Sequence, residues 1–412
     1  MEVYLVGGAV RDEQLSLPVK ERDWCVVGAT PDDLLSQGYR QVGKNFPVFL
    51  HPETDEEYAL ARTERKTGTG YHGFEFHTSP DVTLEDDLSR RDLTINAMAR
   101  DDDGNLIDPF DGASDLENRV LRHVSEAFSE DPVRILRAAR FKARFAGLGF
   151  ELASETLDLM TCMVAGGEAG ALQADRVWQE TELALAGPDP HLYFAVLRDC
   201  GALAVVFPEV DALFGVPQPR QWHPEIDCGV HAMMVLKQAA RLSDEVDIRF
   251  AALVHDLGKA ITDQRHLPSH PGHERRSADL INDMSERLPV PRACRELGVL
   301  VARHHAHCHR AFDLKPATIL KLFRNVDAFR RPERFQKFLL TCEADARGRT
   351  GLEDQPYPQA AYLNRARNEA AQVKASEVVG TETSGTAIGA EIDRMRVKAI
   401  KKVKAETSNQ VP

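Results

Sequence analysis

The sequence lacks the features that would place it in a membrane or in an oxidising compartment. No apolar run in its 412 residues approaches the ~18 residues that a spanning helix needs. The start, MEVYLVGGAVRDEQ, has no basic region followed by a long apolar stretch. The seven cysteines are odd in number and form no CxxC pair, so they indicate no disulfide framework. We therefore expect a cytoplasmic protein, with no membrane partner.

A surplus of positive charge is also lacking, because the net charge is -13. This excludes a protein coated in basic surface, but a nucleic acid can still bind to one local basic face. The segment from Arg119 to Arg144 has seven Arg or Lys against three acids, so it is positive within an acidic chain. Length and composition, with 43% hydrophobic and 28% charged residues, indicate roughly two to four folded units. No internal repeat is visible.

Periodicity and turn signals predict an α+β protein in four parts. Residues 1–125 form a head, in which VYLVGG, DWCVVG, PVFLHP and EEYALAR read as strands and GAVRDEQL and TPDDLLSQ as helices. After Asp108-Pro-Phe-Asp-Gly112 the strands are expected to stop, and residues 126–215 form an all-α neck and body. A Pro-rich link, VPQPRQWHPE, leads to a helical, histidine-rich domain over 228–330. Helices continue over 331–412, where the polar end from Lys398 is expected to be frayed.

Two glycines open the first predicted helix. Gly7 and Gly8 follow a predicted strand, and their backbone N–H groups can approach a phosphate at the helix N-terminus. Arg11 adds a positive charge. An ordinary tight turn accounts for the same pattern equally well, so the motif alone leaves both interpretations open.

A pair of carboxylates comes next in the chain. Glu21 and Asp23 enter the predicted strand DWCVVG, where residues i and i+2 share a face. Such a pair can hold the Mg²⁺ ions of a phosphoryl-transfer site. We expect a third carboxylate from the neighbouring strand, with Glu57 preferred over Glu56 and Glu64. The alternative for the pair is a solvated strand edge.

Charged residues recur every third position in the predicted neck helix. Asp131, Arg134, Arg137 and Arg140 form a ribbon along it. A solvent-facing stripe is one interpretation. The other is nucleobase recognition, because cytosine and adenine both present an amino donor beside a ring acceptor. Asp131 would accept from the amino group and Arg134 would donate to the ring, which selects C and A together.

Histidines cluster in the third part. His231 lies one helix before His255-Asp256, and His273, then His304 or His305, and finally Asp345 continue the series. Neutral imidazoles with carboxylates suit a divalent transition-metal site, in which Asp256 could bridge two ions. Surface histidines with a buried capping Asp are the alternative.

Together these motifs resemble those of the class II CCA-adding enzymes of bacteria, which belong to the polymerase β nucleotidyltransferase superfamily. The similarity includes LVGGAVRD, RDW, EYALARTERK, the segment Glu85–Ala97, HDLGK and TCEADARGRTG, and so covers nearly the whole chain. It implies a polymerase-β-like head, the helical neck and an α-helical HD domain. The resemblance departs at Glu21, where the family has Asp, so the rate of transfer stays open.

The resemblance also implies partners, cofactors and roles. The expected activity is addition of CCA to the 3′ end of tRNA from CTP and ATP, with Mg²⁺ in the head on Glu21 and Asp23. Asp131 and Arg134 would act as an amino-acid template. The remaining nucleotide contacts carried over from the family are Gly8, Arg11, Arg91, Arg137 and Arg140. Residues Arg62–Tyr71 would form a flexible loop that switches from C to A addition, for which a plain surface loop is the alternative.

For the histidine-rich domain the resemblance implies phosphatase and 2′,3′-cyclic phosphodiesterase activity with Ni²⁺ or another divalent transition metal, held by His231, His255 and Asp256. Two other functions stay open: a poly(A) polymerase-like RNA nucleotidyltransferase, and an HD phosphohydrolase with an impaired head. The acidic charge and the HD motif disfavour the first. The sequence leaves the oligomeric state open between monomer and homodimer.

Overall fold

The computed structural model describes residues 1–42, 48–66, 74–374 and 385–408. The chain divides into two compact units, Met1–Val206 and Phe207–Pro412. Positions 67–71 of the predicted flexible loop lie outside the described residues. No helix in the described ranges is long and apolar enough to cross a membrane.

Strands occur only in the first unit among the described residues. They are β1 (Glu2–Val6), β2 (Asp23–Val27), β3 (Arg40–Val42), β4 (Val48–Leu50), β5 (Glu57–Leu60), β6 (Thr63–Lys66), β7 (Phe74–His77), β8 (Ala99–Arg100), β9 (Leu106–Ile107), β10 (Val120–Leu121) and β11 (Glu151–Leu152). The four predicted strands correspond to β1, β2, β4 and β5. The expectation that strands stop after Gly112 is wrong, because β10 and β11 pair in parallel over two residues each.

Seven of these strands form one mixed sheet in the order β3-β4-β5-β2-β1-β8-β9. Strand β2 runs antiparallel to β1 and parallel to β5. In the parallel pair, Asp23 lies opposite Glu57. The sheet therefore brings two acids, separated by more than thirty positions in the chain, side by side at the start of neighbouring strands.

The helices of the first unit follow its turn and capping signals. They are α1 (Gly8–Gln14), α2 (Pro31–Ser36), α3 (Leu84–Ser89), α4 (Gly112–Asn118), α5 (Val133–Phe145), α6 (Ser154–Ala165), α7 (Ala174–Ala186), α8 (Pro190–Asp199) and α9 (Ala202–Val206). Helices α2 and α3 each begin with a capping box, Thr30 with Asp33 and Thr83 with Asp86. Helix α5 packs against α7 and α8, which fixes the orientation of its charged face.

The second unit has helices and connecting loops, and no strand among its described residues. Its helices are α10 (Pro208–Asp211), α11 (Cys228–Leu242), α12 (Val246–Val254), α13 (His273–Arg287), α14 (Arg292–His309), α15 (Pro316–Asn325), α16 (Pro332–Arg347), α17 (Pro358–Ala371) and α18 (Gly385–Ser408). Proline starts α15, α16 and α17, where its missing N–H removes no helical bond. Helix α14 packs against α12, α13 and α16 around one apolar core.

The expectation of a frayed end from Lys398 is also wrong. Helix α18 continues to Ser408 and packs against α15 and α17. Ile400 and Val403 are buried in the core of the unit. Burial of these two side chains stabilises a helix end that is otherwise mostly polar, so the polar composition misled the prediction.

Candidate active sites

A cavity of about 580 Å³ opens in the first unit, at the end of the sheet where β2 and β5 begin. Its lining combines the glycine turn, carboxylates from the strands and arginines from three helical segments. The predicted site residues that line it are Gly8, Arg11, Asp23, Arg91, Asp131, Arg134 and Arg137. Glu21 and Arg140 are not among its described lining residues. The structure therefore brings seven of the nine predicted residues of the head and neck to one cavity.

The glycine turn needs its first glycine. Gly7 has φ 71° and ψ -126°, a conformation that residues with a side chain rarely adopt. A Cβ atom there would lie 2.6 Å from Nη1 of Arg91. The turn thus leaves space for the Arg91 guanidinium, which donates to Asp87 Oδ2 at 3.1 Å.

Arg11 is buried although it is charged. Its guanidinium lies about 5 Å from the ring centres of Phe141 and Phe145 on α5. It donates to Asn96 Oδ1 at 2.5 Å and to Asp12 Oδ1 at 2.8 Å. A buried cation with stacked rings and two acceptors is rigidly held, so its position at the cavity is set before any ligand binds.

Two of the acidic residues that line the cavity, Asp23 and Glu57, come from the strands. Desolvation by the surrounding protein raises the pKa of Asp23, Arg91 lowers that pKa, and Glu21 raises it. The predicted placement of Glu21 and Asp23 on one strand face is wrong, because β2 begins only at Asp23. Glu21 lies two residues before the strand and is exposed. Glu57 is the strand neighbour of Asp23, as the third carboxylate was expected to be.

Asp92 connects α5 to the loop that follows α3. Its carboxylate is buried and accepts from Arg137 Nε at 2.7 Å, from Asn96 Nδ2 at 2.9 Å and from the Leu93 backbone N–H at 2.8 Å. Burial alone would raise the pKa of Asp92, but Arg137 and the hydrogen bonds lower it well below its usual value. Because Asn96 also binds Arg11, one network fixes two of the cavity's arginines.

Asp131 and Arg134, the predicted template residues, are both held by hydrogen bonds within the protein. Arg176 on α7 donates to both oxygens of Asp131, at 3.2 and 2.8 Å. The guanidinium of Arg134 donates to the carbonyl oxygens of Ala127 and Arg90. Sequence reasoning did not single out Arg176, which also lines the cavity.

Arg140 has a different setting. Its Nε donates to Glu180 Oε2 on α7 at 2.5 Å, and its guanidinium lies 4.6 Å from the centre of the Phe141 ring. These contacts join α5 to α7. The role carried over to Arg140 as a nucleotide contact stays a prediction.

In the second unit, histidines and acids from five segments converge. His231 on α11, His255 at the end of α12 and Asp345 on α16 form one group, and Asp256, His273 and His305 form another. In each group the candidate ligand atoms lie within 4.8 Å of one another. His255 Nε2 lies 3.2 Å from Asp256 Oδ2, so the groups adjoin.

These residues fit a divalent metal. His255 Nε2 and Asp256 Oδ1 are buried, and among the described residues neither has a hydrogen-bond partner. A buried polar atom left unpaired costs about 1–3 kcal/mol, which a bound cation would offset. Burial lowers the pKa of His255, but Asp256 and Asp345 raise it to about 9, so metal binding there would release a proton. Burial lowers the pKa of His305 to about 3, which keeps this imidazole neutral.

The structure distinguishes His305 from His304 as the candidate metal ligand. His305 is buried and lies in the second group, whereas His304 is only half-buried and its ring contacts that of His307. His309, which sequence reasoning did not select, has Nε2 2.6 Å from Asp345 Oδ2 and Nδ1 3.0 Å from the Tyr357 hydroxyl. His309 lies one helical turn after His305, so the i, i+4 spacing was the available signal.

Three segments of the chain match known protein families. Residues 3–122 match the poly A polymerase head domain, residues 149–214 the probable RNA and SrmB-binding site of polymerase A, and residues 229–336 the HD domain. The chain is thus a nucleotidyltransferase-type protein with a polymerase head and a helical HD domain. Its four predicted boundaries stay a prediction.

Relatives over the full length specify the family. The chain is 63% identical over 406 residues to a multifunctional CCA protein of Thioalkalivibrio sulfidiphilus, covering 98% of this chain and 99% of the relative. It is 56% identical over 408 residues to the protein of the same name from Hahella chejuensis, covering 99% and 97%. The chain belongs to the family of multifunctional CCA proteins.

Solved structures agree in fold. An apo CCA-adding enzyme aligns with a TM-score of 0.67 at 20% identity, covering 100% of this chain and 92% of that one. A CCA-adding enzyme in complex with CTP gives 0.67 at 21% identity, covering 100% and 91%. The Thermotoga maritima enzyme complexed with tRNA gives 0.64 at 19% identity, covering 100% and 92%.

Proposed function

We propose that the first unit adds C, C and A to the 3′ end of tRNA from CTP and ATP, without a nucleic-acid template. The observation that carries this proposal is one cavity lined both by Asp23 and Glu57 and by the pair Asp131 and Arg134. The name of the relatives and the CTP and tRNA complexes of the similar structures support it. A tRNA substrate would place the enzyme in the cytoplasm.

In this proposal different residues of the cavity contact the base and the triphosphate of the nucleotide. Asp131 accepts from the exocyclic amino group that C and A share, while Arg134 donates to the adjacent ring nitrogen. Arg11, Arg91 and Arg137, with the N–H groups of the glycine turn, bind the triphosphate. The 3′ hydroxyl oxygen of tRNA bonds to the α-phosphorus and its proton passes to water, while the bond from that phosphorus to the oxygen shared with the β-phosphate breaks and releases pyrophosphate.

Asp23 and Glu57, together with Glu21 two residues before β2, are the proposed ligands for Mg²⁺. Carboxylate oxygens are the ligands that this ion prefers, and bound Mg²⁺ would neutralise charge on the reacting phosphates. The raised pKa of Asp23 fits a carboxylate that gains from a nearby cation. The side chain of Glu21 is one methylene longer than Asp and must reach inward from before the strand.

For the second unit we propose a metal-dependent phosphohydrolase that acts as a phosphatase and 2′,3′-cyclic phosphodiesterase, with Ni²⁺ or another divalent transition metal. His231, His255 and Asp256 are the proposed ligands, supported by Asp345 and His305 in the same cluster. A metal held there would activate water. Lys259, buried with Nζ 2.6 Å from Asp256 Oδ2, holds that carboxylate ionised.

An extension assay tests the first site. The full-length protein is incubated with tRNA that ends before CCA, Mg²⁺ and each nucleotide singly. We expect growth by two residues with CTP and by a third only when ATP is added. Long A tails would instead support a poly(A) polymerase, and no extension with intact phosphodiesterase activity would support the impaired-head alternative.

Paired variants separate the two activities. Asp23→Ala should abolish extension and leave hydrolysis of a 2′,3′-cyclic nucleotide, whereas His255→Ala should do the reverse. The matched controls are the exposed residues Asp32→Ala and His266→Ala. If a folded Asp23→Ala or His255→Ala protein loses both activities, the two-site proposal is wrong.

A further inference from the structure

The Pro-rich segment over 216–225, predicted as a link, packs against the histidine cluster. Pro217 and Asp227 form an isolated antiparallel bridge that closes the segment into a loop. Gln218 is buried inside it, at 1% exposure. The side chain of Glu225 is 2% exposed, although a carboxylate is costly to bury without partners. The loop therefore carries two buried polar side chains that need an explanation.

Four donors converge on Glu225. Its Oε1 lies 3.0 Å from Nδ1 of both His223 and His231 and 3.3 Å from the Gln218 amide nitrogen. Its Oε2 accepts from the Thr350 backbone N–H at 3.4 Å. All of these neighbours can donate, so the carboxylate acts as an acceptor to each of them.

This arrangement decides where His231 carries its proton. Nδ1 of His231 faces two acceptors, Glu225 Oε1 and the Gly348 carbonyl oxygen at 2.9 Å, and neither can donate to it. A proton on Nδ1 satisfies both acceptors. In the neutral ring Nε2 is then the lone-pair nitrogen, and it lies 3.1 Å from Asp345 Oδ1 within the first metal group. Two lone-pair atoms at this distance are compatible when they share a cation.

We propose that Glu225 is a positioning residue for the HD centre, which fixes the ring and tautomer of His231 so that Nε2 binds the metal. This inference rests on the proposed metal centre of the second unit. The same loop reaches the other group, because Gln218 Oε1 accepts from Lys259 Nζ at 2.9 Å, and Lys259 pairs with Asp256. A carboxylate behind a histidine ligand orients the ring and raises its basicity.

Metal affinity tests the proposal without relying on turnover. Ni²⁺ is titrated by calorimetry into metal-stripped full-length protein, as wild type, Glu225→Gln, Glu225→Asp and Glu209→Gln. Glu209 is the matched control, since it is a partly buried glutamate that pairs with Arg287 in the same unit. We expect Glu225→Gln to bind Ni²⁺ about 10–100-fold more weakly, Glu225→Asp to recover part of the loss, and Glu209→Gln to match wild type.

The outcomes separate the inference from the proposed function. Equal Ni²⁺ affinity of Glu225→Gln and wild type would overturn the role of Glu225 alone, while a wild type that binds no divalent ion would overturn the metal centre as well. A second measurement needs no variant. With ¹⁵N-labelled histidine and bound Zn²⁺, the proton of His231 should be on Nδ1 and the metal on Nε2, and coordination through Nδ1 would refute the proposal.

Discussion

Gly7→Ala should destabilise the first unit and weaken nucleotide binding through one steric contact. At φ 71° and ψ -126° an alanine is strained whatever space surrounds it, and such strain costs about 1–3 kcal/mol. In addition, the new Cβ would lie 2.6 Å from Arg91 Nη1, so the guanidinium must move. The backbone strain should lower stability, and the displacement should reduce the contact of Arg91 with the triphosphate.

Both effects have a measurable size. For a unit of this length, Met1–Val206, 1 kcal/mol corresponds to about 2–4 °C in melting temperature. The strain therefore predicts a fall of about 2–12 °C in the transition of this unit, by scanning calorimetry. A lost hydrogen bond to a charged group, at about 1.5–3 kcal/mol, predicts a rise in the KM for CTP of roughly ten- to a hundredfold.

Gly8→Ala is the matched stability control. A Cβ at Gly8 would lie 3.5 Å from Arg11 Nη2, which is ordinary contact, and Gly8 has no positive φ. This variant should melt within about 0.5 kcal/mol of wild type. If Gly7→Ala and Gly8→Ala melt at the same temperature, and Gly7→Ala leaves the KM for CTP unchanged, the reasoning about this turn is refuted.

Three further predictions concern other contacts. Asp92→Asn should cost about 3 kcal/mol at pH 7, since it breaks a buried ion pair. Because the folded state lowers the pKa of Asp92, this stabilisation is present above about pH 4 and is lost as the pH falls. The melting temperatures of Asp92→Asn and wild type should therefore converge in acid. The control Asp103→Asn, at an exposed position, should melt like wild type at every pH. Arg176→Met should free the Asp131 carboxylate and lower the CTP over UTP ratio of kcat/KM about tenfold, and an unchanged ratio would contradict this. Gly258→Ala should weaken Ni²⁺ binding in calorimetry, because its Cβ would lie 2.3 Å from the first carbonyl oxygen of α13, and equal affinity would show that the helix does not position the cluster.

The sequence predicted the long, strongly patterned elements of the head well. Helix α1, helix α2 and four strands lie where alternation, glycine turns and capping residues indicated. Strands β3, β8 and β9 are no longer than β4 but lack its run of three apolar residues, and they depend on pairing with neighbours in the sheet. The predicted strand DWCVVG begins at Asp23, as β2 does. The extension of its alternation back to Glu21 is wrong, because the antiparallel register with β1 ends at Asp23.

The site residues that sequence reasoning found are those with a local motif. Gly8, Arg11 and His255 sit in short patterns whose chemistry can be read from neighbouring letters. Arg176 contacts Asp131, and Glu225 contacts His231, through the fold and not through a regular spacing. No spacing rule connects an arginine on α7 to an acid 45 positions earlier. Residues that position others are therefore found by folding the chain, whereas residues that bear the chemistry can be found by motif.

The pairing of the cavity arginines with acids explains how an acidic chain can bind a triphosphate. Three of the cavity arginines are each held by an acid: Arg11 by Asp12, Arg91 by Asp87 and Arg137 by Asp92. Each of these pairs is nearly neutral, so net positive charge contributes little to phosphate binding. The binding free energy comes mainly from N–H donors that are already oriented and need little reorganisation. Net charge then says little about the nucleotide site. The positive segment over 119–144 follows the same rule, because Arg137 pairs with Asp92, Arg140 with Glu180 and Arg144 with Asp12. Acids from elsewhere in the fold thus offset the positive balance that the sequence shows there.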